Sequence, residues 1–190
     1  MKLIIPLSIL FTSLLSNTLS YAACTPGTNL TVTKTDGIYI QNQDGTITDT
    51  LTGLMWQQCP LGLTGPNCQT GALQPHSWAT ALAAVNADTG NGYTDWRLPN
   101  KNELNSLVDL SCFMPAINTT IFPGTINNGE IPNALYWSST PDVGTVNAWL
   151  IDFLNGRVFT GDRQNTTGYV RLVRGMDLVQ PAPVQPPAPG

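Results

Sequence analysis

The sequence predicts an α+β domain in which two helices pack on a small, mostly antiparallel sheet. Trp78, Ala81, Leu82 and Val85 recur at i, i+3, i+4 and i+7, the spacing of one helical face. Ala148 to Phe153 and Tyr169 to Arg174 instead alternate residue by residue, as strands do. Helical patterns in the middle of the chain, flanked by strand patterns at both ends, exclude a repeating βαβ sheet.

The N-terminus stands apart from the rest. Lys2 is the only charge before Lys34, and Leu3 to Leu15 is almost wholly apolar. Small residues follow at Ser20 and Ala22. A basic start, a short apolar run and a small-residue junction read as a secretion signal over residues 1–22. The apolar run is too short for a bilayer span, which needs roughly 20 residues, and Pro6 interrupts it. Lipidation at Cys24 competes, but it would place Tyr21 at the small-residue position and leave an odd number of cysteines. Residues 23–175 then form one domain, and the Pro-rich segment 176–190 an extended, disordered tail.

Strand signals open the domain at Gly37 to Ile40. Asp44-Gly45 marks a turn before Thr46-Ile47-Thr48, and an apolar run from Leu51 to Trp56 follows. The first helix carries Ser77 or His76 as its cap. The second has Leu104, Leu107 and Val108 on one face, and Asn100 and Glu103 have capping-box spacing after Pro99. Tyr136-Trp137-Ser138 reads as a strand. Asn155-Gly156 reads as a two-residue hairpin turn between Ala148–Phe153 and Arg157–Phe159.

The four cysteines are Cys24, Cys59, Cys68 and Cys112. An even count behind a secretion signal reads as two disulfides. Three pairings are compatible with the sequence. The expected one closes the turn-rich segment between Cys59 and Cys68 and joins Cys24 to Cys112. A zinc site is disfavoured, since no CxxC occurs and His76 is the only histidine.

Composition narrows the function. Without Lys2 the chain has 7 basic and 12 acidic residues, a net charge of −5, which argues against a nucleic-acid partner. One histidine and no GxSxG give no basis for a nucleophilic triad. Asn42, Asp44 and Gly45 are similar to part of an EF-hand, but Ile40 and Leu51 occupy its first and twelfth positions. No cofactor is expected, although a calcium site of another kind, using Asp95, Asp152 or Asn147, stays open. Candidate ligand contacts are Trp96 and Trp149, as stacking surfaces, and Arg171 and Arg174, from the C-terminal arginines. Arg97 is expected to pair with Asp95 or a carbonyl. The sequons at Asn29, Asn118 and Asn165 matter only in a host that glycosylates them.

Several motifs occur together: Asp44-Gly45-Thr46-Ile47-Thr48-Asp49, Thr52-Gly53-Leu54-Met55-Trp56, Gly92 to Pro99 (GYTDWRLP), Tyr136 to Thr140 and Tyr169 to Gly175. In this order they resemble the bacterial DUF1566 family, the C-terminal domain of the Legionella collagen-like adhesin, over about residues 36–175. The resemblance implies a C-type-lectin-like fold and a role at or beyond the cell envelope. It carries over no catalytic residue. The expected function is an exported, non-enzymatic binding or adhesion module, periplasmic or extracellular, whose partner is a glycan or other cell-surface ligand. Two alternatives stand beside it: a structural subunit of an envelope or appendage assembly, and an enzyme on a formylglycine-generating-enzyme-like fold.

Overall fold

A computed structural model describes residues 34–88, 90–126 and 134–175. The expected signal segment, Cys24 and the Pro-rich tail lie outside the described residues. The described part is a mixed α/β fold with antiparallel sheets and two helices.

Strands β1 (Tyr39–Gln41), β2 (Thr46–Asp49) and β3 (Leu54–Gln57) form an antiparallel meander. The turn between β1 and β2 passes through Gly45, whose φ of 81° suits a residue without Cβ. A short ribbon follows, β4 (Leu63–Thr64) with β5 (Thr70–Gly71). Helices α1 (Trp78–Ala87) and α2 (Lys101–Asn105) come next, then the meander β6 (Leu135–Pro141), β7 (Asn147–Asp152) and β8 (Arg157–Asp162). Strand β9 (Val173–Gly175) returns to pair with β3.

The strands therefore divide between two sheets and a ribbon, where the sequence predicted a single sheet. The segment before β9 explains the division. Tyr169 exchanges backbone bonds with Leu135 and Trp137 on the β6 side, Leu172 O accepts from Gln57 N, and Val173 then joins β3. Crossing from one sheet to the other, this segment is covered on both sides. Val170 and Leu172 enter one core with Ala81, Val85, Trp137 and Leu150, while Val173 enters the other with Trp56, Leu104, Tyr136 and Phe153. Strand β7 is shared in the same way: Ala148 and Leu150 face the first core, and Ile151 the second.

Local signals account for the helices. Ser77 caps α1 by accepting from Thr80 N, and Trp78 Nε1 donates to Ser138 O at 2.9 Å, tying the helix to β6. The expected capping box of α2 is complete, with Asn100 accepting from Glu103 N and Glu103 accepting from Asn100 N. That helix stops earlier than its apolar stripe predicts. Ser106 Oγ donates back to Glu103 O, and Val108 leaves the helix to bridge Ile117. Leu107 and Val108 are buried all the same. The loop between β7 and β8 also differs from the two-residue turn predicted for Asn155-Gly156. Residues 153–156 form a four-residue loop in which Gly156 N donates to Asp152 O and Gly156 has φ 75°.

Arg97 pairs with Glu103, both contacts at 2.7 Å, and also donates to Leu98 O at 3.4 Å; of the two expected partners it meets a carbonyl and not Asp95. The Glu103 carboxylate is already aimed by the capping box, so a planar guanidinium meets it bidentately. Burial pushes the Glu103 carboxyl up, but the hydrogen bonds from Arg97 and Asn100 outweigh it and hold the group below its ordinary 4.5. A carboxyl lowered in the folded state stabilises fully above its unfolded value and loses that contribution as the pH falls through its folded value. Glu103→Gln should therefore lower stability by about 0.5–1 kcal/mol at pH 7, discounted because Arg97 is partly exposed. Urea unfolding of both proteins should show this gap closing at pH 3; a constant gap would mean that the ion pair contributes nothing.

Candidate functional site

The four predicted ligand contacts do not share one groove. Arg171 is fully buried: its guanidinium donates to Gln57 O, to Gln58 O at 2.6 Å and to Thr125 Oγ1 at 2.9 Å, 5.1 Å from the Phe122 ring centre. Burial pushes its pKa down to about 10. Arg174 is also buried; it meets Asp95 at 2.6 Å and lies 4.2 Å from the Tyr93 ring centre. Trp96 packs edge-on against the same Tyr93 ring and donates from Nε1 to Gly90 O, so Trp96 and Arg174 do come together. Their partners are the protein's own groups. Trp149 lies elsewhere, half-buried on β7 with Lys101 Nζ 4.4 Å from its ring centre.

Two of the three residues named for a calcium site are likewise engaged in the fold. Asp95 holds Arg174, and the buried Asp152 accepts from Leu154 N. Among the described residues no cluster of three acidic, histidine or cysteine side chains is arranged to hold a metal. Aspartates instead shape turns. Asp44, Asp49, Asp88, Asp109 and Asp162 each accept a backbone N–H two residues ahead.

A groove of about 820 Å³ lies elsewhere among the described residues. One wall is the β1–β2 turn, with Gln41, Asn42, Gln43 and Asp44. The end of β3 and its continuation add Gln57 and Gln58. The opposite wall is the segment from Cys59 to Pro66, and the end of the groove is closed by Asp88 and Asn91 after α1. Leu61, Leu63 and Pro66 give the lining an apolar side.

Nonlocal bonds hold these pieces together. Gln58 N donates to Gly45 O, joining the first wall to β3. Gln57 Nε2 donates to Asp88 Oδ1 at 2.9 Å, and Asn91 Nδ2 donates to Asp44 O. Gly90 permits the first of these bonds: a Cβ there would sit 2.9 Å from both Asp88 Oδ1 and Gln57 Nε2. Asp44 accepts from Thr46 and from the Tyr93 hydroxyl. Burial raises the Asp44 carboxyl, but those hydrogen bonds outweigh it and leave the group below the usual carboxylate range.

A disulfide fastens the opposite wall. Cys59 and Cys68 are bonded, with Cα atoms 5.4 Å apart, as expected from the sequence. Cys112 is also in a disulfide, and Cys24, its expected partner, lies outside the described residues. Among the described residues no cysteine is free.

Residues 45–174 match the Lcl C-terminal domain family. The chain belongs to that family. No curated protein matches it. Much of what distinguishes this Lcl C-terminal domain in sequence is a scaffold beside the groove. In its GYTDWRLP segment, Tyr93 reaches Asp44, Asp95 holds Arg174, Trp96 reaches Gly90 and Arg97 holds Glu103. The groove's own carboxamides were not singled out in the sequence. The signal was the run Gln41-Asn42-Gln43 and the pair Gln57-Gln58, of which Gln41 and Gln57 stand at strand positions that favour β-branched residues.

Proposed function

We propose that this Lcl C-terminal domain is an exported, disulfide-stabilised binding or adhesion module of the bacterial envelope or exterior, with a C-type-lectin-like arrangement, and that it holds a glycan. The groove is the observation that carries the reading. Its walls present carboxamides and carboxylates beside an apolar side, the combination that suits the hydroxyls and C–H faces of a sugar. Family membership supports an adhesin-like role. Signal-like residues 1–22 and the bonded cysteines support export.

The reading is of a binder without catalytic activity. Among the described residues the groove lining offers no histidine and no free thiol, and the two carboxylates there are engaged in shaping turns. The full exported chain should therefore bind saccharide surfaces on a glycan array and leave them chemically unchanged. Binding to no glycan and no cell surface would sink the proposal, and turnover of a bound glycan would replace it with an enzymatic one.

A further inference from the structure

Which atoms the groove leaves for a ligand follows from the bonds already made inside it. Asn42 donates from Nδ2 to Thr46 Oγ1 and Thr48 Oγ1, so its Oδ1 remains. Gln57 donates to Asp88, which leaves the Gln57 Oε1 lone pairs open. Asp88 Oδ1 accepts from Gln57 and from Gly90 N, so Asp88 Oδ2 remains. Asn91 uses Nδ2 on Asp44 O and keeps its Oδ1. The groups held in place by the fold thus point acceptors outward. Gln41, Gln43 and Gln58 make no side-chain hydrogen bond among the described residues, and they add amides free to rotate either way.

Charge has the same sense. Among the described residues lining the groove, Asp44 and Asp88 are the charged ones; no lysine, arginine or histidine joins them there. The nearby Arg174 is buried against Asp95 and Tyr93, and Arg171 is fully enclosed. An anion entering this groove would face two carboxylates and a row of lone pairs without a counter-charge.

We infer that the groove selects an uncharged saccharide, one rich in hydroxyl or acetamido N–H donors, and rejects sulfated or carboxylated glycans. This rests on the reading of the groove as the glycan site. A sugar hydroxyl donates to the fixed acceptors and accepts from the free glutamines. A sulfate ester at neutral pH has acceptors only, so it leaves the fixed oxygens unpaired and adds repulsion. The specificity is therefore a matter of hydrogen-bond polarity reinforced by charge.

The test uses the full exported chain on immobilised neutral hexose and N-acetylhexosamine oligosaccharides, each beside a sulfated counterpart on the same backbone. Neutral members should bind at least about ten-fold more tightly than their sulfated partners, with little dependence on salt. Asp88→Asn keeps an acceptor for Gln57 and Gly90 but turns the open oxygen into a donor. It should weaken the neutral ligand several-fold and narrow the gap to the sulfated one, with the melting temperature checked to show that the fold is retained. Tighter, salt-sensitive binding of the sulfated members would overturn the inference while leaving a glycan-binding function in place. Neutral binding unchanged by Asp88→Asn and by Gln58→Ala would move the site out of the groove and overturn it also. Binding to neither series would remove both this inference and the glycan reading beneath it.

Discussion

Replacing Arg171 by Ala should destabilise the domain by about 3–5 kcal/mol, enough to leave much of the chain unfolded. Arg171 has no exposed surface, and its guanidinium is the donor for Gln57 O, Gln58 O and Thr125 Oγ1. Truncation strands these acceptors and opens a void beside Phe122. Arg171→Met should cost less than Arg171→Ala, because the thioether fills the space and the burial of a charge is relieved. It should not restore wild-type stability, because the two carbonyls stay without a donor. Denaturant midpoints of the three proteins give the order. Equal stability of Arg171→Ala and wild type would show that the buried guanidinium is incidental. The same residue links the core to the site, since the carbonyls it holds belong to Gln57 and Gln58 on the groove wall. A partly folded Arg171→Met protein should therefore also bind neutral saccharide more weakly.

Removing the Cys59–Cys68 bridge is the next largest change. The two residues are 9 apart in sequence, and a loop of that length contributes about 2.5 kcal/mol through restriction of the unfolded chain. Cys59→Ser with Cys68→Ser should lower the melting temperature by roughly 5–10 °C. The loss has a local side too. Cys68 is buried against Gly124, where an added Cβ would come 2.7 Å from the Cys68 Cβ, so a polar hydroxyl there has little room to find a partner. Because the bridge fastens the Cys59–Pro66 wall, saccharide affinity should fall even at temperatures where the double variant is fully folded. A double variant with unchanged melting and unchanged affinity would show that the ribbon β4–β5 holds this wall alone.

Features governed by neighbours in sequence were readable in advance. Ser77, and Asn100 with Glu103, were legible as caps because a capping bond spans only three residues. The Asp44-Gly45 turn and the Cys59–Cys68 closure are equally local. Alternation located β7, but of the alternating run Tyr169 to Arg174 only Val173 and Arg174 fall in a strand, β9; Val170 to Val173 are buried on both parities because the segment crosses between two cores. The length of α2 was less legible. The stripe through Leu107 and Val108 continues as buried residues, but the backbone leaves the helix when Val108 finds Ile117.

The arginines show where local reasoning ended. Arg171 and Arg174 stand in a strand-like run as ordinary surface charges would, and their alternation says nothing of what covers each face. Only the crossing of this segment between two sheets encloses Arg171 and brings Arg174 to Asp95, 79 residues away in sequence.

By itself the sequence determined the α+β class, the helix caps and the family. Each depends on composition or on spacings of a few residues. The tertiary structure alone decided the division into two sheets, the burial of the arginines and the existence of the groove. Gln41, Gln57, Asp88 and Asn91 come from separate elements, and their lone pairs point to one space only because long-range hydrogen bonds fix the walls. Hydrogen bonds between distant residues leave no period in a sequence, so the acceptor-lined groove could be found only once the chain was folded.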